Sequence, residues 1–269
     1  MQSTRLNWRP TPKLIIGMLH SPPLPGSPRC VESMDQITAH VLRDAERLLE
    51  GGLGVLMLEN LGDSPYFPGR VPDHTVAHMS VLATAVRQKF DVPLGINVLR
   101  NDGQAALAIA AAAGGLFVRV NVFCSARLCD QGLIEANAHD VLRTRRTLSA
   151  EQIAILADVD VKHSAPLAPR SLQHEIDDAL QRGGADAIIV SGTATGDLTP
   201  ADDLSQAVAA SAGADVLVGS GVTADNVADY LKLAGGVIVG TSLKQDGIVT
   251  NPVDLQRVEE LVAAVRSAT

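Results

Sequence analysis

The sequence predicts an α/β fold of the (β/α)8 barrel type, and three observations predict it. Eight short runs rich in Val, Ile and Leu recur along the 269 residues. Each is apolar at successive positions, as parallel strands buried on both faces are. Stretches with helical spacing separate them, and strict strand–helix alternation repeated eight times favours a closed barrel over an open sheet. A dinucleotide-binding open sheet would place G-x-G-x-x-G after its first strand. Residues 21–28 read SPPLPGSP instead, a stiff loop unsuited to cradling a pyrophosphate.

In order, the runs are LIIGMLH (14–20), VLMLEN (55–60), LGINVLRND (94–102), LFVRVN (116–121), IAILADVDVKH (153–163), AIIVSGTATG (187–196), VLVGSGV (216–222) and VIVGTSLK (237–244). Helices are expected over 34–50, 73–90, 103–113, 136–147, 171–182, 200–210, 223–232 and 253–266. In the first, Ile37, Val41, Leu42, Ala45, Leu48 and Leu49 fall on one face. Glycine pairs at 51–52, 114–115, 183–184 and 235–236 precede the second, fourth, sixth and eighth strands, where a left-handed residue would end each helix. No linker or composition shift divides the chain, so one barrel domain is expected over 1–269.

Composition narrows the function. Apolar residues make up 46% and aromatics 3%, so aliphatic side chains must fill the core. A net charge of −8 argues against a nucleic-acid partner or an acidic membrane held by bulk charge, while leaving room for an anion held by local amides. Cys30, Cys124 and Cys129 are too few and too irregular for a disulfide framework or a four-ligand zinc site. With no signal-like start and no run of 18 apolar residues, a cytoplasmic protein without a membrane span is expected.

Each run ends in polar residues, and in such barrels function gathers where the strands end. The last two are the most informative. Gly219, Ser220 and Gly221 follow the seventh strand, and Gly240, Thr241 and Ser242 the eighth. Loops there often hold phosphate, because glycines let amides approach and hydroxyls add donors. In the fifth run, alternation sends Asp158, Asp160 and Lys162 to one face. Lys162 could polarise a carbonyl or form a Schiff base, with Asp158 tuning it or acting as base; a structural ion pair bracing the rim would use the same residues. His163 would then point outward.

Glu59, ending the second run, is the candidate for a second acid or base, with Asp63 close behind. The third and fourth runs add Asn97, Arg100, Asn101, Arg119 and Asn121. Arg119 and Asn121 share a face, and Arg119 must meet either a carboxylate such as Glu59 or Asp158 or an anionic ligand. Ser191, Gly192 and Thr195 suit a ligand hydroxyl or phosphate, though a gating loop would look alike. His20 could be ligand, acid–base group or core filler. No metal motif occurs. No cofactor is required, and a divalent metal on Glu59, Asp158 or Asp160 stays open.

The strings GMLHSPPLPGSP (17–28), LENLGDSP (58–65), NVLRND (97–102), RVN (119–121), DQG (130–132), DVDVKH (158–163), GSGV (219–222) and GTSLK (240–244) resemble the BtpA/SgcQ family over nearly the whole chain. The resemblance implies a phosphate-binding type of barrel. The family is named partly for a photosystem I assembly factor, yet similar proteins occur in organisms without photosynthesis. Two functions are expected in parallel. One is an enzyme on a phosphorylated sugar or nucleotide-like molecule: an isomerase, a lyase or aldolase, or a glycosidic-bond cleaving enzyme. The other is a non-catalytic assembly or regulatory protein that keeps a ligand-binding barrel. The barrel isomerases of histidine and tryptophan synthesis use a carboxylate or Cys on strand one and an Asp on strand six. His20 and Ser191 stand there instead, which disfavours that mechanism. Homo-oligomerisation is expected by analogy.

Overall fold

The computed structural model describes residues 6–192 and 198–268. The strands are β1 (Leu14–His20), β2 (Leu56–Glu59), β3 (Leu94–Asn97), β4 (Phe117–Val120), β5 (Arg127–Cys129), β6 (Gly132–Ile134), β7 (Ala154–Val159), β8 (Ser164–Pro166), β9 (Ala187–Val190), β10 (Asp215–Val218) and β11 (Gly236–Val239). Eight of them close a parallel barrel in the order β1-β2-β3-β4-β7-β9-β10-β11, with β11 back on β1. These are the eight expected runs. The other three form a small antiparallel sheet, β6-β5-β8, at the mouth. Its three-residue strands are too short to show a periodicity.

The helices are α1 (Met34–Glu50), α2 (Asp73–Lys89), α3 (Gly103–Ala113), α4 (Ala138–Thr147), α5 (Leu172–Asp177), α6 (Ala201–Ala210), α7 (Val227–Leu233) and α8 (Leu255–Ala268). Helix α1 starts at a capping box: the Ser33 side chain accepts from the Gln36 amide while Gln36 accepts from the Ser33 amide. The α7 region departs from expectation. The helix begins at Val227, because Asn226 accepts from the Thr223 amide at 2.8 Å and donates to the Gly221 carbonyl at 2.8 Å, fixing a turn before it.

Three of the four glycine pairs hold a left-handed residue, at Gly52, Gly114 and Gly184. The fourth pair has a different cause. Helix α7 is capped at Ala234 in extended conformation, and a Cβ on Gly236 would stand 2.3 Å from the Leu14 carbonyl oxygen. Close approach of β11 to β1 demands glycine there.

Inward side chains fill the barrel as one cluster that includes Ile16, Met57, Phe117, Leu156, Ile189, Leu217 and Ile238. With few aromatics, one ring carries much of the filling. Phe117 projects into space left by Gly95, where a Cβ would meet the ring at 2.1 Å, and Trp8 stacks on it with centroids 5.0 Å apart. The opposite faces of the strands pack on the helices through residues such as Leu58, Ile96, Val118, Ile155 and Val190. The interior is therefore plugged below, and only its upper end is free for chemistry.

Candidate functional site

Parity carries the inward rows upward from that apolar plug. Ile16 and Met18 are followed by His20, Met57 by Glu59, Gly95 by Asn97, Phe117 by Arg119 and Leu156 by Asp158. Register places His20 beside Glu59, Glu59 beside Asn97 and Asn97 beside Arg119. The topmost layer of the barrel is thus polar. Above it lies a cavity of about 360 Å³, lined by His20, Glu59, Tyr66, Arg100, Arg119, Asn121, Lys162 and His163 on one side and by Gly219–Thr223 and Gly240–Ser242 on the other.

On the glycine side the amides of Gly221, Val222, Thr241 and Ser242 have no hydrogen-bond partner among the described residues. Gly221 has φ +70°, a left-handed conformation that a side chain would strain. The Ser242 hydroxyl donates to the Val222 carbonyl at 2.6 Å, tying the two loops together. A Cβ on Gly240 would press on His20 at 2.7 Å, and one on Gly219 would lie 2.5 Å from Ile189 and 2.8 Å from the Ser191 hydroxyl. Adjacent free amides in two linked loops form a concave donor surface suited to an anion.

On the other side, charge is distributed unevenly. Arg119 donates to both Asp158 oxygens at 2.9 and 3.0 Å, and Asn121 donates to Asp158 at 2.6 Å. Burial works against the Arg119 charge, but Asp158 outweighs it and holds the guanidinium pKa above its usual value. The Glu59 carboxylate has no hydrogen bond among the described residues, and the His20 imidazole lies 3.8 Å from it. Burial pushes the Glu59 carboxyl up, with Asp158 adding to the effect and Arg119, Lys162 and Arg100 opposing it. Burial lowers the Lys162 amine, helped by Arg119 and Arg100 and opposed by Glu59 and Asp158. Its Nζ has no hydrogen bond or ion pair among the described residues. His20 falls to about 3, mainly through burial and then the charges of Lys244 and Lys162, so the imidazole is neutral near pH 7. The mouth therefore offers a carboxyl inclined to hold a proton and an amine inclined to lose one, the pairing acid–base chemistry uses.

Asp160 corrects the alternation argument. Strand β7 stops at Val159, and Asp160 takes φ +45°. Its side chain turns out to solvent and pairs with Arg127 at 2.9 Å, away from the cavity. The same break brings His163 onto the cavity wall, although strict alternation sends it outward. Asn97 is buried beneath the cavity, donating to the Arg119 carbonyl at 3.1 Å and to Asn121 at 3.3 Å. Ser191, with a buried unpartnered hydroxyl, and Gly192 are likewise buried without lining the cavity. Thr195 lies outside the described residues.

Tyr66 and Asn226 gave no sequence signal. Tyr66 arrives on a loop after β2, where its hydroxyl donates to the Leu61 carbonyl at 2.7 Å. Arg100 was visible only as one polar residue of the third run, without a role. Among the described residues no group of three His, Cys, Asp or Glu is placed to hold a metal ion, and no helix is long and apolar enough to cross a membrane.

The family model described as the BtpA family matches residues 11–267. The chain belongs to that family. It is 41% identical over 251 residues to the photosystem I biogenesis protein BtpA of a Synechocystis strain, covering 93% of this chain and 87% of that one. It is 44% identical over 250 residues to an uncharacterized protein of Thermococcus kodakarensis, covering 93% and 94%. Among solved structures, N-(5'-phosphoribosyl)anthranilate isomerase from Pyrococcus furiosus superposes with a TM-score of 0.57 at 12% identity, covering 95% of this chain and 99% of that one. At that identity the likeness establishes the barrel fold alone.

Proposed function

We propose that this BtpA-family protein is an enzyme that moves protons on a phosphorylated sugar or nucleotide-like small molecule, as an isomerase or a lyase. The free amides of the loops after β10 and β11 grip the phosphate. Glu59, the one mouth carboxylate without a hydrogen bond among the described residues, takes a proton from carbon and returns it. Lys162 acts on the adjacent carbonyl. It either donates a hydrogen bond to the oxygen or attacks the carbon, with water leaving as the Schiff base forms. Arg119 supports negative charge developing on the carbonyl oxygen, held in place by Asp158.

The observation that carries this reading is that Glu59 and Lys162, shifted toward each other in acidity, face the same cavity as the amide cradle. The phosphoribosyl substrate in the name of the structural neighbour is in keeping with it. Asp158 is engaged by Arg119 and Asn121, so hydrolysis by two free carboxylates draws no support.

Incubating the protein in D2O with a panel of ketose and aldose phosphates tests the proposal. A member of the panel is expected to acquire deuterium beside its carbonyl, and Glu59→Gln to slow that exchange roughly 10² to 10⁴-fold. Borohydride trapping on Lys162 separates the Schiff-base route from simple polarisation. Absence of exchange across the panel, with phosphate bound, defeats the reading. The name of the Synechocystis relative favours a second one, an assembly or regulatory role. That role predicts full cellular function from Glu59→Gln and Lys162→Met proteins.

A further inference from the structure

The cavity wall carries two arginines, and among the described residues only one forms an ion pair. Arg119 is clamped by both oxygens of Asp158. Arg100 is 5% exposed and follows β3, which stands across the ring from β10 and its glycine loop. One of its terminal nitrogens donates to the Lys162 carbonyl at 2.7 Å. Its Nε is buried without a partner, and it forms no ion pair among the described residues.

Arginine cannot shed its proton to escape burial, so an uncompensated guanidinium is costly wherever it is enclosed. Glu59 lies within range of its charge, but no neighbouring group pairs with it directly among the described residues. Lys162 offers only a backbone carbonyl, Tyr66 gives its hydroxyl proton to Leu61, and Glu59 forms no ion pair with it. A neutral leucine or glutamine would serve a purely packing role at less cost. The charge stands instead on a wall that faces a cavity, opposite a cradle of free amides.

We propose that Arg100 is a second anion subsite and that the cavity takes a small molecule carrying an anionic group at each end: a phosphate in the glycine loops and a carboxylate or second phosphate on the Arg100 fork. This rests on the phosphate assignment made above and adds the second charge. The guanidinium fork suits either planar or tetrahedral oxyanions. A doubly anionic ligand also positions its middle carbons between the two anchors, where Glu59 and Lys162 face the cavity.

Calorimetric titration at constant ionic strength, with two matched pairs of ligands, tests the subsite. The pairs are 6-phosphogluconate against glucitol 6-phosphate, and fructose 1,6-bisphosphate against fructose 6-phosphate. Each differs by an anionic group at the end away from the shared phosphate. The wild-type protein is expected to bind the doubly anionic member of at least one pair about tenfold or more tightly. The pair that responds tells whether carboxylate or phosphate is received. Arg100→Met should remove that preference while leaving the singly charged ligand within about threefold, whereas a merely structural arginine would weaken both alike. Arg100→Lys keeps the charge without the fork and should retain part of the preference.

A wild-type ratio near one in both pairs overturns the subsite, and so does a preference that survives in Arg100→Met. The wild-type ratio decides alone if the variant fails to fold. If inorganic phosphate and the singly charged ligands bind while the ratio is one, only the second subsite falls. If no phosphate compound binds, the phosphate assignment falls with it.

Discussion

Two lysine–carboxylate sets, one fully buried and one half-buried at its lysine, stand near the barrel's upper end, and they differ in what they leave unfinished. Lys244, 1% exposed, donates to Asp44 at 2.5 Å, and Asp44 also accepts from the Val253 amide at 2.9 Å. This set joins helix α1 to the segment after β11, and the ion pair is closed by hydrogen bonds. Burial alone would raise the Asp44 carboxyl, but the bond from His40 and the charge and bond of Lys244 bring it to about 2. Glu59 and Lys162 have no such closure. Burial moves each toward its neutral form, and both face the cavity. The same two chemical groups serve structure where they bond to each other and are available for chemistry where that bond is withheld.

The contrast can be broken at the pair that lies between the two cases. Asp158 is fully bonded like Asp44 but borders the cavity through Arg119. Asp158→Asn leaves a buried guanidinium without its counter-charge. It should cost about 3–5 kcal/mol, read as a lower urea midpoint at unchanged slope. A loss under about 1 kcal/mol would mean that Arg119 is neutralised by something else.

Acid should separate the sets next. A carboxyl whose pKa falls from 3.8 to about 2 on folding contributes stability above the unfolded value and loses it as pH falls through the folded one. For Asp44 that is about 2 kcal/mol, lost between about pH 4 and pH 2. Glu59 has the opposite sign. Its raised pKa means that folding binds a proton, so its contribution is present at low pH and disappears as pH rises through the folded value. Asp44→Asn should flatten the acid limb of the stability curve, and Glu59→Gln should leave that limb in place.

The smallest effect belongs to the cradle. Gly221→Ala forces a side chain into φ +70° and should cost about 1–2 kcal/mol of stability. Titration with inorganic phosphate should show weakened binding in the same variant, since the Gly221 and Val222 amides move with the turn. Unchanged affinity would detach these amides from the anion.

Much of this was legible in the residues themselves. The eight barrel strands and their order followed from runs long enough to show burial on both faces. His20, Glu59 and Arg119 reach the mouth because parity holds within a strand. Parity fails where a strand ends, which is why Asp160 was expected inside and His163 outside. The three-residue strands of the small sheet carry no readable period. Asp44 and Lys244 lie 200 positions apart, and only the closed barrel brings them together. Arg100 looked like one polar residue among several, because the absence of a counter-ion is a property of three-dimensional surroundings.

Melting of Glu59→Gln beside Asp44→Asn separates a structural from a functional Glu59 without any substrate. Asp44→Asn should lose about 3–5 kcal/mol, a fall in Tm of about 6 °C or more, because Lys244 is left buried and unpaired. Glu59→Gln should melt at or above the wild-type temperature, because it removes a buried ionisable group that the fold does not satisfy. A Glu59→Gln protein that falls as far as Asp44→Asn would show both sets to be structural.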